Sequence, residues 1–261
     1  MVNPLVDPGA RLVIAHRGAS LHAPENTLEA FHLALRAGAH ALELDVHAAA
    51  DGTPVVLHDP DLRRTCDRAG RVAALRPDAL RAVDAGWAFT TDAGRTYPFR
   101  GRGIRVPTLA EVLEELPHTP LLLELKTAEV EHAVAALLRR HGAERRCVVA
   151  SSLHGALHTF RAPPFLVGAS ARDILRFLLR ARVGLPSRRE ALHAFAVPDR
   201  WRGLTVPTPA FLAAARRAAC AVHVWTVDDP SRARDLWSAG ATGIVTNDPA
   251  ALAKTLAHTA N

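Results

Sequence analysis

Eight short apolar runs, each followed by a longer stretch, constrain the fold of this chain more than any other feature. The runs are Leu12–Ala15, Ala41–Val46, Leu121–Leu125, Cys147–Ala150, Phe165–Gly168, Ala194–Val197, Val222–Val227 and Gly243–Thr246. Most are continuously apolar, as expected for parallel strands covered on both faces. Thr27–Ala37, Val130–Arg140, Leu153–Arg161, Ala171–Arg182, Pro209–Ala219, Ser231–Ala239 and Pro249–His258 carry helical patterns. In the first, Leu28, Phe31 and Leu35 form an apolar stripe and Gly38 is the stop signal; Asn26, three residues before Glu29, reads as its N-cap. Eight β–α alternations predict a TIM (β/α)₈ barrel, and 261 residues match the usual size of one such domain.

One connection breaks the rhythm. Residues 59–107 separate the second strand from the third, too long for a structureless loop. They read as a small subdomain inserted after the second strand and over the barrel mouth, with Trp87, Phe89 and Tyr97 as its expected core and cleft wall. The whole chain, 1–261, is then one barrel domain with an insertion.

Composition excludes several classes. Apolar residues make up 49% and charged residues 22%, the range of soluble globular proteins rather than disordered ones. Three separated cysteines, Cys66, Cys147 and Cys220, argue against a disulfide scaffold or a thiolate zinc site. The longest run without Asp, Glu, Lys or Arg is Cys147–Phe160, shorter than the roughly 20 residues that span a bilayer. Met1–Arg11 lacks the apolar core of a secretory signal, so the expected location is cytoplasmic. The net charge of +6 comes almost entirely from arginine, since only Lys126 and Lys254 are lysines; with 5% aromatic residues and most Arg beside acids, nucleic acid is not an expected partner.

The active face of such a barrel lies at the C-terminal strand ends. The first strand ends in His16-Arg17-Gly18. The second carries Glu43 and Asp45, two residues apart and so on the same face. The third repeats the pattern with Glu124 and Lys126. Carboxylates inside a barrel need a cation, and three hard oxygen donors suit Ca²⁺ or Mg²⁺ better than zinc. Asp51-Gly52 marks a turn, after which Val55–Leu57 can return His58 to the mouth. Two histidines, an Arg/Lys pair and a carboxylate-held metal suit phosphate ester cleavage. His47 shares the parity of Glu43 and Asp45 but reads as lying past the strand end; Asp59 reads as orienting His58 or closing a turn.

His16-Arg17-Gly18, Pro24-Glu25-Asn26-Thr27, Glu43-Leu44-Asp45-Val46, Asp51-Gly52, His58-Asp59 and Glu124-Leu125-Lys126, in this order, resemble the glycerophosphodiester phosphodiesterase family. Val197-Pro198, Val224-Trp225-Thr226-Val227 and Thr246-Asn247-Asp248-Pro249 extend the resemblance over nearly the whole chain. It implies a TIM barrel hydrolase of lipid and glycerol metabolism, dependent on Ca²⁺ or Mg²⁺, that releases sn-glycerol 3-phosphate and an alcohol from a small glycerophosphodiester. It further implies that His16 and His58 are the acid/base pair, that Glu43, Asp45 and Glu124 hold the metal, that Arg17 and Lys126 contact phosphate, and that Trp225 lines the substrate mouth. Asn247 stands where the family often has Asp. Two other readings share these residues: a phospholipase D-type barrel acting on lysophospholipids or sphingolipids, and a catalytically silent barrel that binds a phosphorylated ligand.

Ala171–Arg182 reads as an outer barrel helix, with Ile174, Leu175, Phe177, Leu178 and Leu179 as its apolar face and Arg172, Arg176 and Arg180 along one edge. The eight Arg of residues 172–202 also suggest weak peripheral contact with anionic membranes.

Overall fold

The computed structural model describes residues 3–182 and 192–258, and the eight apolar runs become parallel neighbours in it. They are β1 (Leu12–His16), β2 (Ala41–Ala48), β4 (Leu121–Leu125), β5 (Cys147–Ala150), β6 (Leu166–Val167), β7 (Ala194–Pro198), β10 (Ala221–Trp225) and β11 (Gly243–Thr246). The order β6-β5-β4-β2-β1-β11-β10-β7 is closed by one parallel bridge, Gly168↔Ala194. Two hydrogen bonds stitch that seam, from His193 N to Val167 O and from Ala169 N to Ala194 O, each 2.9 Å. The remaining strands are β3 (Pro54–Val56), antiparallel to β2, and the hairpin β8 (Arg200–Trp201) with β9 (Leu204–Thr205).

The helices are α1 (Leu28–Arg36), α2 (Pro77–Arg81), α3 (Leu109–Glu115), α4 (Glu131–Arg140), α5 (Ala171–Arg182), α6 (Pro209–Arg217), α7 (Pro230–Ala239) and α8 (Pro249–His258). Apart from α2, which belongs to the insertion, and α8, which follows the last strand, they lie in crossovers between barrel strands. Two expectations need correction, and one helix has no counterpart among the sequence patterns. The Leu153–Arg161 stretch is two 3₁₀ turns, His154–Leu157 and Thr159–Arg161, because Gly155 and the Pro163-Pro164 pair leave no room for a regular α-helix. Helix α3 was hidden behind the insertion's Pro and Gly; its start carries a full capping box, Thr108 with Glu111. The cap of α1 is Thr27, whose hydroxyl accepts from Ala30 N, and not Asn26.

Strand parity sorts the core. Leu12 and Ile14 of β1, Ala41 of β2, Leu122 of β4, Val148 of β5 and Val245 of β11 fill the barrel interior, with Leu5 plugging its lower end. The alternate residues, such as Leu42, Leu44, Leu121, Leu123 and Val149, pack outward under the helices. Burying one such Leu or Val contributes about 1.5–3 kcal/mol. Gly243 is demanded by its neighbours: a Cβ there would lie 2.5 Å from His223 Nδ1 and 2.7 Å from Ile14 Cδ1.

The insertion has its own small core, but an aliphatic one. Leu62, Cys66, Val72, Leu80, Val83, Ile104 and Val106 pack on Val55 and Leu57. Trp87 and Tyr97 are exposed instead, with the Arg100 guanidinium 4.1 and 3.7 Å from their ring centres. Phe89 packs edge-on against Phe99 at 5.2 Å. On α5, Ile174, Phe177 and Leu178 face the core, while Leu175 and Leu179 are exposed. Arg188, Arg189 and Glu190 of the basic stretch lie outside the described residues.

Candidate active site

The parity that puts Ala41 in the barrel interior aims Glu43, Asp45 and His47 inward above it. On β4 the same alternation aims Glu124 and Lys126 inward above Leu122. The register sets His16 beside Glu43 and Asp45 beside Glu124. Glu43 and Asp45 are 6% and 1% exposed. One carboxylate oxygen from each of Glu43, Asp45 and Glu124 lies within 4.8 Å of the others. Burial, then the charges of Asp45 and Glu124, push the Glu43 carboxyl well above its usual range. Burial also acts to raise Asp45, but Lys126 and Arg17 outweigh it and hold that carboxyl low. Lys126 Nζ lies 2.8 Å from both Asp45 Oδ1 and Glu124 Oε2.

The β1–α1 loop brings the second cation. Arg17 adopts a left-handed backbone (φ 58°), its amide donating to Glu43 O at 2.9 Å and to Glu43 Oε2 at 3.1 Å. Its guanidinium reaches Asp45 Oδ2 at 3.1 Å and Glu25 Oε1 at 3.0 Å. Gly18 follows with φ +83°, and a Cβ there would meet the Ala30 backbone at 2.6 Å, so only glycine lets this loop pass under α1. Asn26, also left-handed at φ 58°, donates from Nδ2 to Asp45 Oδ2 at 2.8 Å. This fixes the carboxylate from the side opposite Lys126 and is what Asn26 does in place of capping α1.

His16 ends β1 with Nε2 4.0 Å from Glu43 Oε2 and Nδ1 2.8 Å from Asn247 Oδ1. Burial, then Arg17, lowers its pKa below the ordinary imidazole value. His58 returns to the mouth through β3, as the Asp51-Gly52 turn implied, and its Nδ1 meets Asp59 Oδ1 at 2.6 Å. His47 lies within β2, which runs on to Ala48, and not past its end. Its Nε2 binds the backbone carbonyl of His58 at 3.0 Å, so it holds the returning segment rather than facing the carboxylates as a ligand.

Several residues of this site carried no signal in the sequence pattern. Arg64, in the insertion, makes a two-pronged contact with Glu25 at 2.7 Å and 2.7 Å and also pairs with Asp59. It ties the insertion to the β1–α1 loop. Asp228 accepts from Asn247, behind His16. Its only sequence trace is that Asp228-Asp229-Pro230 offers two acids where one cap is needed, and Asp229 is the cap of α7. A cleft of about 660 Å³ opens between the two tied segments, lined by Ser20, Leu21, Glu25, Arg64, Phe89 and Thr91 among others. Trp225 stands at the same mouth, 42% exposed, at the end of β10.

The donor set fits a hard divalent cation. Three carboxylates, two of them buried, converge on one point and face only two cations, Arg17 and Lys126, which leaves one negative charge of the cluster uncompensated. Oxygen donors alone favour Ca²⁺ or Mg²⁺ over softer metals.

A sequence profile of the glycerophosphoryl diester phosphodiesterase family matches residues 16–251. A glycerophosphodiester phosphodiesterase of Caldanaerobacter subterraneus is 28% identical over 254 residues, which cover 92% of this chain and 96% of that protein. Among solved structures, the glycerophosphodiester phosphodiesterase of Agrobacterium tumefaciens superposes with a TM-score of 0.74 at 28% identity, covering 95% of this chain and 99% of that one. A phosphodiesterase of Oleispira antarctica, solved in complex with the product sn-glycerol-3-phosphate, has a TM-score of 0.77 at 26% identity, with 95% and 97% covered.

Proposed function

Since the chain belongs to the glycerophosphoryl diester phosphodiesterase family and is a phosphoric diester hydrolase, we propose that it cleaves small glycerophosphodiesters to sn-glycerol 3-phosphate and an alcohol, with a divalent cation and the pair His16 and His58. One observation carries this reading: three carboxylate oxygens converge within 4.8 Å at the mouth, beside His16, Arg17 and Lys126. Glu43, Asp45 and Glu124 would hold the cation. When bound, it neutralises charge on the phosphoryl oxygens.

Arg17 and Lys126 do two jobs. They keep Asp45 ionised, and they offer N–H donors to the diester oxygens as negative charge builds on phosphorus. His16, kept neutral by burial and by Arg17, takes the proton of the attacking oxygen at Nε2. As the new P–O bond forms, the bond to the alcohol oxygen breaks, and His58 gives that oxygen a proton. Asp59 supports the ring of His58 while it carries both protons. The cleft beside Arg64 and Phe89 gives the departing alcohol a seat. The reading is tested by metal-dependent release of glycerol 3-phosphate from a defined diester.

A second reading concerns where such diesters are met. Trp201 and Leu204 of the β8–β9 hairpin are 58% and 69% exposed, and Asp199 N binds Trp225 O at 2.9 Å, which sets this hairpin next to Trp225 at the mouth. Arg200 and Arg202 flank Trp201 within it. Exposed Trp and Leu with Arg favour an anionic lipid surface, and with it amphiphilic diesters such as lysophospholipids. Among the described residues no helix is long and apolar enough to cross a membrane.

A further inference from the structure

The C-terminal ends of β10 and β11 hold His16 through a short relay of hydrogen bonds whose directions are forced by chemistry. Asp228 Oδ1 accepts from Thr246 Oγ1 at 2.8 Å and from the backbone N of Asn247 at 2.7 Å. Its Oδ2 faces Asn247 Nδ2 at 2.8 Å. A carboxylate only accepts, so the Asn247 amide must turn its NH₂ toward Asp228. That leaves Asn247 Oδ1 pointing the other way, where Ser20 Oγ donates to it at 2.8 Å. His16 Nδ1 lies 2.8 Å from the same oxygen. An amide oxygen cannot donate, so the proton of the neutral ring sits on Nδ1 and the lone pair on Nε2.

We propose that Asp228 and Asn247 are positioning residues that fix the tautomer of His16, so that Nε2 is the proton-accepting atom on the side of Glu43. This rests on the reading of His16 as the base in diester hydrolysis. Neither residue touches the reacting atoms: Asn247 acts on the ring, and Asp228 acts on Asn247. The arrangement keeps the formal charge one residue away from the imidazole. The ring's direct partner is neutral, unlike that of His58, whose Nδ1 meets the carboxylate of Asp59.

The consequence is a reversal that can be engineered. In Asp228→Asn, the new amide oxygen still accepts from Thr246 and the Asn247 backbone, but its NH₂ opposes the NH₂ of Asn247. The Asn247 amide then rotates, presents N–H to His16 Nδ1 and drives the ring proton to Nε2. The exchange Asp228→Asn with Asn247→Asp restores every donor–acceptor pair. The amide introduced at position 228 then donates to the carboxylate introduced at position 247, and that carboxylate accepts from His16 and Ser20.

The experiment combines ¹⁵N spectroscopy of the imidazoles in the full chain with steady-state kinetics on glycerophosphocholine. In the unaltered protein, His16 should show a protonated, pyrrole-like Nδ1 and a bare, pyridine-like Nε2. Asp228→Asn should reverse this pattern and lower kcat by about 10²-fold with KM changed less than about threefold, since the loss falls on proton transfer and not on binding. The double exchange should restore the Nδ1–H form and return kcat to within about tenfold of the original. A bare Nδ1 in the unaltered protein overturns the proposal. So does a double exchange that stays as slow as Asp228→Asn, or an Asp228→Asn protein that keeps full kcat. Absence of hydrolysis in the unaltered protein, with the Nδ1–H form present, would instead remove the functional reading and leave the relay standing.

Discussion

Asp45 Oδ1 on β2 and Lys126 Nζ, one residue past the end of β4, stand 2.8 Å apart, with Asp45 almost completely buried. The lysine keeps Asp45 ionised, so the cost of the cluster falls on Glu43, whose carboxyl is driven up by burial and by its two acidic neighbours. A divalent cation would lift that cost. Glu43→Gln should therefore lower Ca²⁺ or Mg²⁺ affinity by about tenfold or more in calorimetric titration. Thermal stability without metal should not fall, because Gln replaces a carboxyl that burial already drives toward its neutral form. Unchanged metal affinity would remove Glu43 from the ligand set.

Proton transfer on the two sides of phosphorus needs two groups. His16→Ala and His58→Ala should each reduce kcat by at least about 10²-fold while metal affinity holds within a few-fold. The double variant should lose less than the product of the two, since both act on one transition state. Near-normal kcat in either single variant, on a diester with a poor leaving group, would take that histidine out of the reaction.

The hairpin at the mouth predicts salt-sensitive lipid contact. The protein should co-sediment with anionic vesicles at low salt and lose most of that binding at high salt, as surface charge is screened within about 10 Å at 0.1 M. Trp201→Ala with Leu204→Ala should weaken it further. Equal, negligible binding to anionic and neutral vesicles would leave the hairpin without a lipid role.

His223 makes stability depend on pH. It is fully buried under the barrel, with Nε2 donating to Leu5 O at 2.9 Å, and burial pushes its pKa down to about 4. The unfolded chain takes up this proton near pH 6.5, whereas the folded chain resists it until about pH 4. Stability is thus fully present above about pH 6.5 and is lost as pH falls toward 4, by on the order of 3 kcal/mol. Between pH 7 and 4.5 the melting temperature should fall more steeply than that of His223→Gln, which keeps an N–H donor but cannot titrate. Parallel curves would place the pH dependence elsewhere.

The strands were legible because a barrel strand is a short apolar run whose parity survives in the sequence. Glu43, Asp45, Glu124 and Lys126 stood out for the same reason, as polar residues spaced two apart inside such runs. What escaped was set by distant contacts. Asn26 looked like a cap because Asn favours caps, but Asp45, nineteen residues on, claimed its side chain. Trp87 and Tyr97 looked like core because they are large, yet the insertion closes on aliphatic residues and leaves them around Arg100. Arg64 and Asp228 joined the site only once the chain had folded back over the mouth, which no local pattern records.

Hydrolysis of glycerophosphodiesters by this barrel should depend on a divalent cation. The most direct measurement is enzymatic detection of sn-glycerol 3-phosphate released from glycerophosphocholine, with Ca²⁺ or Mg²⁺, with EDTA, and with metal restored after EDTA. Glycerol 3-phosphate should be released with metal, release should fall by at least about 10²-fold with chelator, and it should recover when the metal is restored. Release that is indifferent to EDTA would contradict the metal's role. No release from glycerophosphocholine or from any other glycerophosphodiester, by folded protein loaded with either metal, would contradict the function itself.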